Sequence, residues 1–432
     1  MRVVTAVQRK VVAAVPADRL PALRRRVSAV LITTQILGGL GVATGIALAA
    51  VLATEVSGTE SLSGLAPTAT VAGTAMLSVP LAALMTARGR RPGLVLAYLI
   101  GAVGAGVAVV AAAVGSFPLL LGGLAAFGAA SAANLQARFA AADLAEPERR
   151  ARAISLVVWA TTIGAVLGPN IAAPAGRSVT GLGIPAAAGP FLWAAGIFLI
   201  SAVVVAVLLR PDPLLTARAL APTEDQSPAA RSLRAGLTAV TASSRARLAV
   251  VTVAVAHTAM VSVMAMTPVD LAHHGAGIDL IGLVISVHIA GMYAFAPLMG
   301  RLTDRLGRLS GIGLAVGLLA CAVFLAGTAG ASHGQTTVGL FVLGLGWSAG
   351  LVSGSALLTD SVPQPARAAA QGLSDLVMNA SAGVGGAIAG LVVAKASYGW
   401  LNFTAACLLI PLAALALFTR GRTRAKSADA DD

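Results

Sequence analysis

Met260 and Met264 stand four residues apart in one long apolar run, and His288 and Met292 stand four apart in the next. Residues at that spacing share a helix face, so each pair points its side chains one way. The chemistry this could support is narrow. Thioether sulfur is soft and uncharged; it binds Cu(I) well and Zn, Mg or Ca poorly. No Asp or Glu lies between His257 and Met266 or between Leu280 and Met299, which argues against a hard-cation site there. Neutral ligands suit a carrier, because they can replace hydration and still release the ion. A lone M-x-x-x-M is ordinary packing, but a His inside a bilayer is a functional hypothesis by default. The clustering also argues against chance: residues 257–299 hold four of the five His and five of the nine Met.

These residues sit in a chain built for a membrane. Of 432 residues 57% are apolar and only 11% charged, and apolar runs of about twenty residues recur throughout. We place twelve spans near 28–52, 65–86, 93–115, 117–141, 153–175, 187–209, 247–272, 279–300, 309–329, 335–359, 368–393 and 398–419. The fold class expected is therefore an all-α membrane protein of two pseudo-symmetric six-helix bundles. The expected divisions are an N-terminal tail (1–27), a first bundle (28–209), a linker (210–246), a second bundle (247–419) and a C-terminal tail (420–432). The first run is too long for a signal-peptide core and follows basic residues, so it reads as a retained span. Cys321 and Cys407 form no metal or redox motif.

The net charge of +13 would suggest nucleic acid in a soluble protein, but its placement gives another reason. With both termini in the cytoplasm, Arg24–Arg26, Arg88, Arg90, Arg91, Arg149, Arg150, Arg152, Arg301, Arg305, Arg308 and the tail basics all fall inside, leaving only Arg177 and Lys395 outside. The expected location is a bacterial cytoplasmic membrane. The lipid bilayer is the expected surrounding, nucleic acid is not an expected partner, and a monomer is the expected state.

The halves repeat. GRLTDRLGRL (300–309) follows span 8 where AALMTARGRR (82–91) follows span 2, and Asp360 and Asp143 end spans at nearly equal distances beyond. Such repeats build carriers with a substrate site near the bilayer midplane. Gly300, Asp304, Arg305, Gly307 and Arg308 form a G-x-x-x-D-R-x-G-R loop, and on them the chain resembles the major facilitator superfamily. That resemblance implies a loop that closes one side of the carrier, with Asp304 facing a helix N-terminus and the arginines pairing with acids such as Asp360. The first-half copy departs from the pattern, with Thr86 and Ala87 where Asp and Arg are usual. Gly164, Gly168 and Pro169 partly match a pattern of proton-coupled exporters, and also suit a helix packing through small residues.

Spans 7 and 8 are joined by a short turn and so predict an antiparallel hairpin. About its midpoint at residue 276, Met264 and His288 would lie level, roughly 18 Å in, and Met260 and Met292 level at roughly 24 Å. The four would then face a common point. The pairing of M-x-x-x-M in span 7 with H-x-x-x-M in span 8 is similar to the CcoA-like copper importers of the same superfamily. This resemblance implies uptake of copper, as Cu(I), with Met260, Met264, His288 and Met292 as ligands.

Other residues carry competing readings. His257 is a further ligand or a satisfied polar contact. His273 and His274 are metal collectors at the outer mouth or solvated turn residues. Met299 continues the His288 face as an exit contact or as core, and Met266 reads as packing. Among the few polar groups inside spans (Gln35, Asn134, Gln136, Arg138, Asp375 and Asn379), Asp375 carries a coupling proton or faces the first-half basic loop. Asp143 and Asp360 are candidates for the same two roles. The chain has no nucleotide motif and no ordered nucleophile–base set, so no cofactor and no enzymatic activity are expected. The alternative to copper is an organic-solute carrier of the same fold, either a drug–proton exporter or a riboflavin-type importer; the low aromatic content (4%) counts against the flavin version. A further alternative is a membrane protein that binds copper without transporting it.

Overall fold

The computed structural model describes residues 17–59, 62, 64–220, 232–276 and 278–431. Among them there is no strand, and twelve helices are long and apolar enough to cross a membrane. In the first half these are Leu20–Ser57, Leu65–Arg88, Arg90–Val114, Phe117–Asp143, Arg150–Val179 and Gly189–Leu208. In the second half they are Ser244–His273, span 8 in two pieces (Ile278–Tyr293 and Ala296–Leu306), Arg308–Gly327, His333–Ser361, Arg367–Lys395 and Tyr398–Asp431. The helix ends follow local chemistry. The Ser243 hydroxyl caps span 7 by accepting from Ala246 N–H at 3.2 Å, and Ser332 caps span 10 through Gln335 N–H. Span 3 ends at Gly115, whose φ of 67° lets its N–H return to the Ala111 carbonyl.

Span 8 departs from the unbroken helix its apolar pattern predicts. Pro297 lacks an N–H and its ring crowds the carbonyl four residues back, that of Tyr293. The helix accordingly stops at Tyr293, turns through Ala294 and Phe295, and restarts at Ala296. Among the described residues the linker holds two helices, Pro213–Leu220 and Leu233–Ala242.

Two compact units emerge, and they do not follow the linker alone. One comprises Met1–Pro147, Ile163–Leu237 and Pro363–Leu373; the other comprises Glu148–Thr162, Thr238–Val362 and Ser374–Asp432. The start of span 5 thus packs with the second unit and the start of span 11 with the first, where a division at the linker expects neither. Within the first unit, spans pack through small residues: a Cβ on Gly123 would stand 2.8 Å from Ala108 N, and Gly164 and Gly168 press against Gly39, Leu40 and Ala43 of span 1. This supports the packing role for the glycines of span 5.

Candidate functional site

The methionine and histidine residues of spans 7 and 8 lie in the second unit. Met260, Met292 and His288 are buried and Met264 is half-buried. The expected hairpin geometry needs correction, because both spans are joined to span 10. On the span 8 side, a Cβ at Gly344 would stand 2.5 Å from the His288 carbonyl oxygen and 2.7 Å from Met292 N. Phe341 O is 2.5 Å from where a Cβ on Gly291 would be. On the span 7 side, Gly350 packs against Ala256 and Gly354 against Val253. Glycines on span 10 therefore let two backbones approach it.

The side chains make the same point. His288 Nδ1 lies 2.7 Å from the Leu340 carbonyl of span 10. A carbonyl only accepts, so Nδ1 carries the proton and Nε2 holds the lone pair. That Nε2 is buried and has no hydrogen-bond partner among the described residues. Trp347 of span 10 donates its indole N–H to His257 Nδ1 at 2.9 Å, which leaves the neutral His257 proton on Nε2. Tyr293 meets the other side of the same indole edge-on, with centroids 5.4 Å apart. One indole thus links His257 of span 7 to Tyr293 of span 8. This cluster was not foreseen: Trp347 lies in another span, and periodicity within spans 7 and 8 carries no signal for it.

The lesser candidates separate. Met299 lies beyond the Pro297 break, so it does not continue the His288 face, and it packs with Ala315 and Ala349. Met266 is half-buried. His273 and His274 are exposed, and His274 Nδ1 turns back to the Asp270 carbonyl at 2.9 Å. Among the described residues no three His, Cys, Asp or Glu side chains group as a metal site.

The loop after span 8 is a second cluster. Asp304 accepts from Ala151 N–H at 3.1 Å and Arg152 N–H at 2.8 Å, at the start of span 5. Arg308 pairs with Asp304 and, at 2.9 Å, with Asp360, which also receives Arg150. Gly300 packs on Ser155 and Ala151; Gly307, with φ of 89°, makes the turn between spans 8 and 9; Arg305 is exposed.

The matching loop after span 2 is wired differently. Arg90 is fully buried and forks onto Asp143 at 2.8 and 3.3 Å, with further bonds to Gln136 at 2.9 Å and to Gln371 of span 11. Gln371 is thus one group of span 11 that reaches this loop. Asp375 is fully buried one turn further along, and its backbone carbonyl accepts from the Asn379 side chain. Gln371 was missed because a lone Gln has no sequence pattern. Arg90 stands in the register of Arg308, a signal the repeat itself offered.

Twelve membrane-length helices, internal repetition and charged loops closing on helix starts define a multi-pass membrane carrier. The family model described as Major Facilitator Superfamily matches residues 31–270 and 248–432, and the chain belongs to that family. It is a secondary transporter. It is 37% identical over 407 residues to the uncharacterized MFS-type transporter YdeG of Bacillus subtilis (strain 168), covering 94% of each. It is 30% identical over 351 residues to the riboflavin transporter RfnT of Brucella anthropi, covering 80% of this chain and 82% of that one. The proton:xylose symporter XylE has the same fold, with a TM-score of 0.73 over 93% of this chain and 96% of that one at 16% identity.

Proposed function

We propose that the transporter carries a planar organic solute of the flavin class into the cell, and that the solute meets His257 and Tyr293 of the second unit. The observation that carries this reading is Trp347, whose indole orients both residues. Trp347 itself is only 4% exposed, so its part is to position, while the half-buried His257 and Tyr293 present a donor and a ring. A flat heteroaromatic ring system with carbonyl edges is matched by such a pair, a stacked or edge-on ring adding about 0.5–1.5 kcal/mol beyond burial. Similarity to a riboflavin transporter supports the same class. The aromatic total is low, and the proposed face uses two of those rings, Tyr293 and Trp347, which meet edge-on.

Copper is the second reading, and the observation favouring it is the bare Nε2 of His288, with Met292 one turn further on the same helix. An imidazole lone pair beside thioethers suits Cu(I). The deciding experiment measures riboflavin uptake and copper accumulation in parallel, in cells lacking their own carriers. The expected result is riboflavin uptake above the empty vector that Tyr293→Ala abolishes. No uptake, in cells where a known riboflavin carrier works, sinks the flavin reading. Copper accumulation that disappears when Met260, Met264, His288 and Met292 are all changed to Leu would put copper in its place.

A further inference from the structure

The linker is more than a tether. Its first helix, Pro213–Leu220, is bound at its start to the first turn of span 3 and near its end to the last turn of span 2, all within the first unit. At its start, Asp212 Oδ1 accepts from Leu214 and Leu215 N–H at 3.0 and 3.1 Å, the usual cap of a helix beginning. The other oxygen of the same carboxylate accepts from Arg91 N–H at 2.7 Å, at the start of span 3. One aspartate thus serves two helix starts. Gly89 makes room for it: φ there is 98°, and a Cβ would stand 2.5 Å from the carboxylate.

At the other end, Arg218 is buried and donates through Nη1 to the Thr86 carbonyl at 2.8 Å. Its Nη2 reaches the Pro365 carbonyl, just before span 11, at 3.4 Å. Thr86 lies in the last turn of span 2, where helix carbonyls lack partners and the helix dipole is negative, so a cation is favoured. Thr86 is also the position at which the first-half loop has lost the aspartate that the second half retains as Asp304.

We propose that Arg218, held in place by Asp212, substitutes for that missing aspartate and positions the end of span 2 against the start of span 11 during the transport cycle. The polarity is reversed. Asp304 joins its two helices by a carboxylate accepting from N–H groups; Arg218 joins its two segments by a guanidinium donating to carbonyls. The proposal does not depend on which substrate is carried.

The test uses the full-length transporter in membrane vesicles, with Cys321→Ala and Cys407→Ala removing the native thiols. Thr86→Cys supplies a buried reporter that leaves the backbone carbonyl in place, and its rate of reaction with a maleimide reports opening of the contact. In Arg218→Ala the rate is expected to rise about tenfold, the factor matching loss of one charge-assisted hydrogen bond. Arg218→Lys, which restores the charge, should recover part of that change, whereas a side chain needed only for bulk would be recovered equally by Met. If Arg218→Ala does not accumulate, Arg218→Gln is read in the same way. A rate below about threefold over the parent overturns the proposal, as does equal recovery by Lys and Met.

Discussion

The loop after span 2 and the loop after span 8 hold equivalent places in the repeat, and they close by different means. After span 8, Asp304 reaches the start of span 5 through two backbone N–H groups, and its surroundings are partly open: the Arg308 side chain is 10% exposed and that of Asp360 23%. After span 2, the central ion pair is sealed, with Arg90 at 0% and Asp143 at 1%, and the link to span 11 runs through a neutral Gln371 and through Arg218 of the linker. Even the small residue has changed sides. Gly300 of span 8 packs on span 5, whereas in the first half the glycine is Gly372, on span 11, facing Ala82. Two copies of one loop have thus diverged into an exposed, charged contact and a dry one supported from outside. Solvent and salt reach the two unequally.

The sharpest break of this comparison is Arg90→Leu. It leaves the Asp143 carboxylate buried without its bidentate partner, a loss of about 3–5 kcal/mol, read as a large fall in melting temperature or failure to accumulate in detergent-extracted membranes. Next comes Asp304→Ala, which uncaps span 5 and leaves Arg308 paired with Asp360 alone; about 1–2 kcal/mol is expected in the same melting assay. Trp347→Phe keeps a ring against Tyr293 but removes the donor to His257. It should raise the KM for the transported solute about fivefold to tenfold with little change in melting temperature. The smallest effect belongs to Asp360→Asn, where partly exposed pairs contribute about 1 kcal/mol or less and added salt should erase the difference from the parent. A matching salt sensitivity at the Arg90 pair would contradict the dry character assigned to it.

The membrane class, the twelve helices and the position of the 300–308 loop could be read directly, because apolar length and Gly/Asp/Arg spacing are local signals. Features that depend on a third helix could not. Turn symmetry within spans 7 and 8 carries no sign of Trp347, since nothing in those spans indicates that span 10 lies against both. The break in span 8 was available from Pro297 and was passed over in favour of its apolar run. Arg218 lies in, and Asp212 caps, a short helix whose partners are over a hundred residues away, and no periodicity announces such contacts.

That same Pro297 makes span 8 two struts and a pin. The longer strut carries His288, Met292 and Tyr293; the shorter carries Asp304. No continuous ladder of backbone hydrogen bonds runs from one to the other, so a tilt of the Asp304 strut need not drag the His288 strut with it. The joint lets the end of the helix that bears Asp304 move apart from the face that bears His288 and Tyr293, within a single crossing of the membrane.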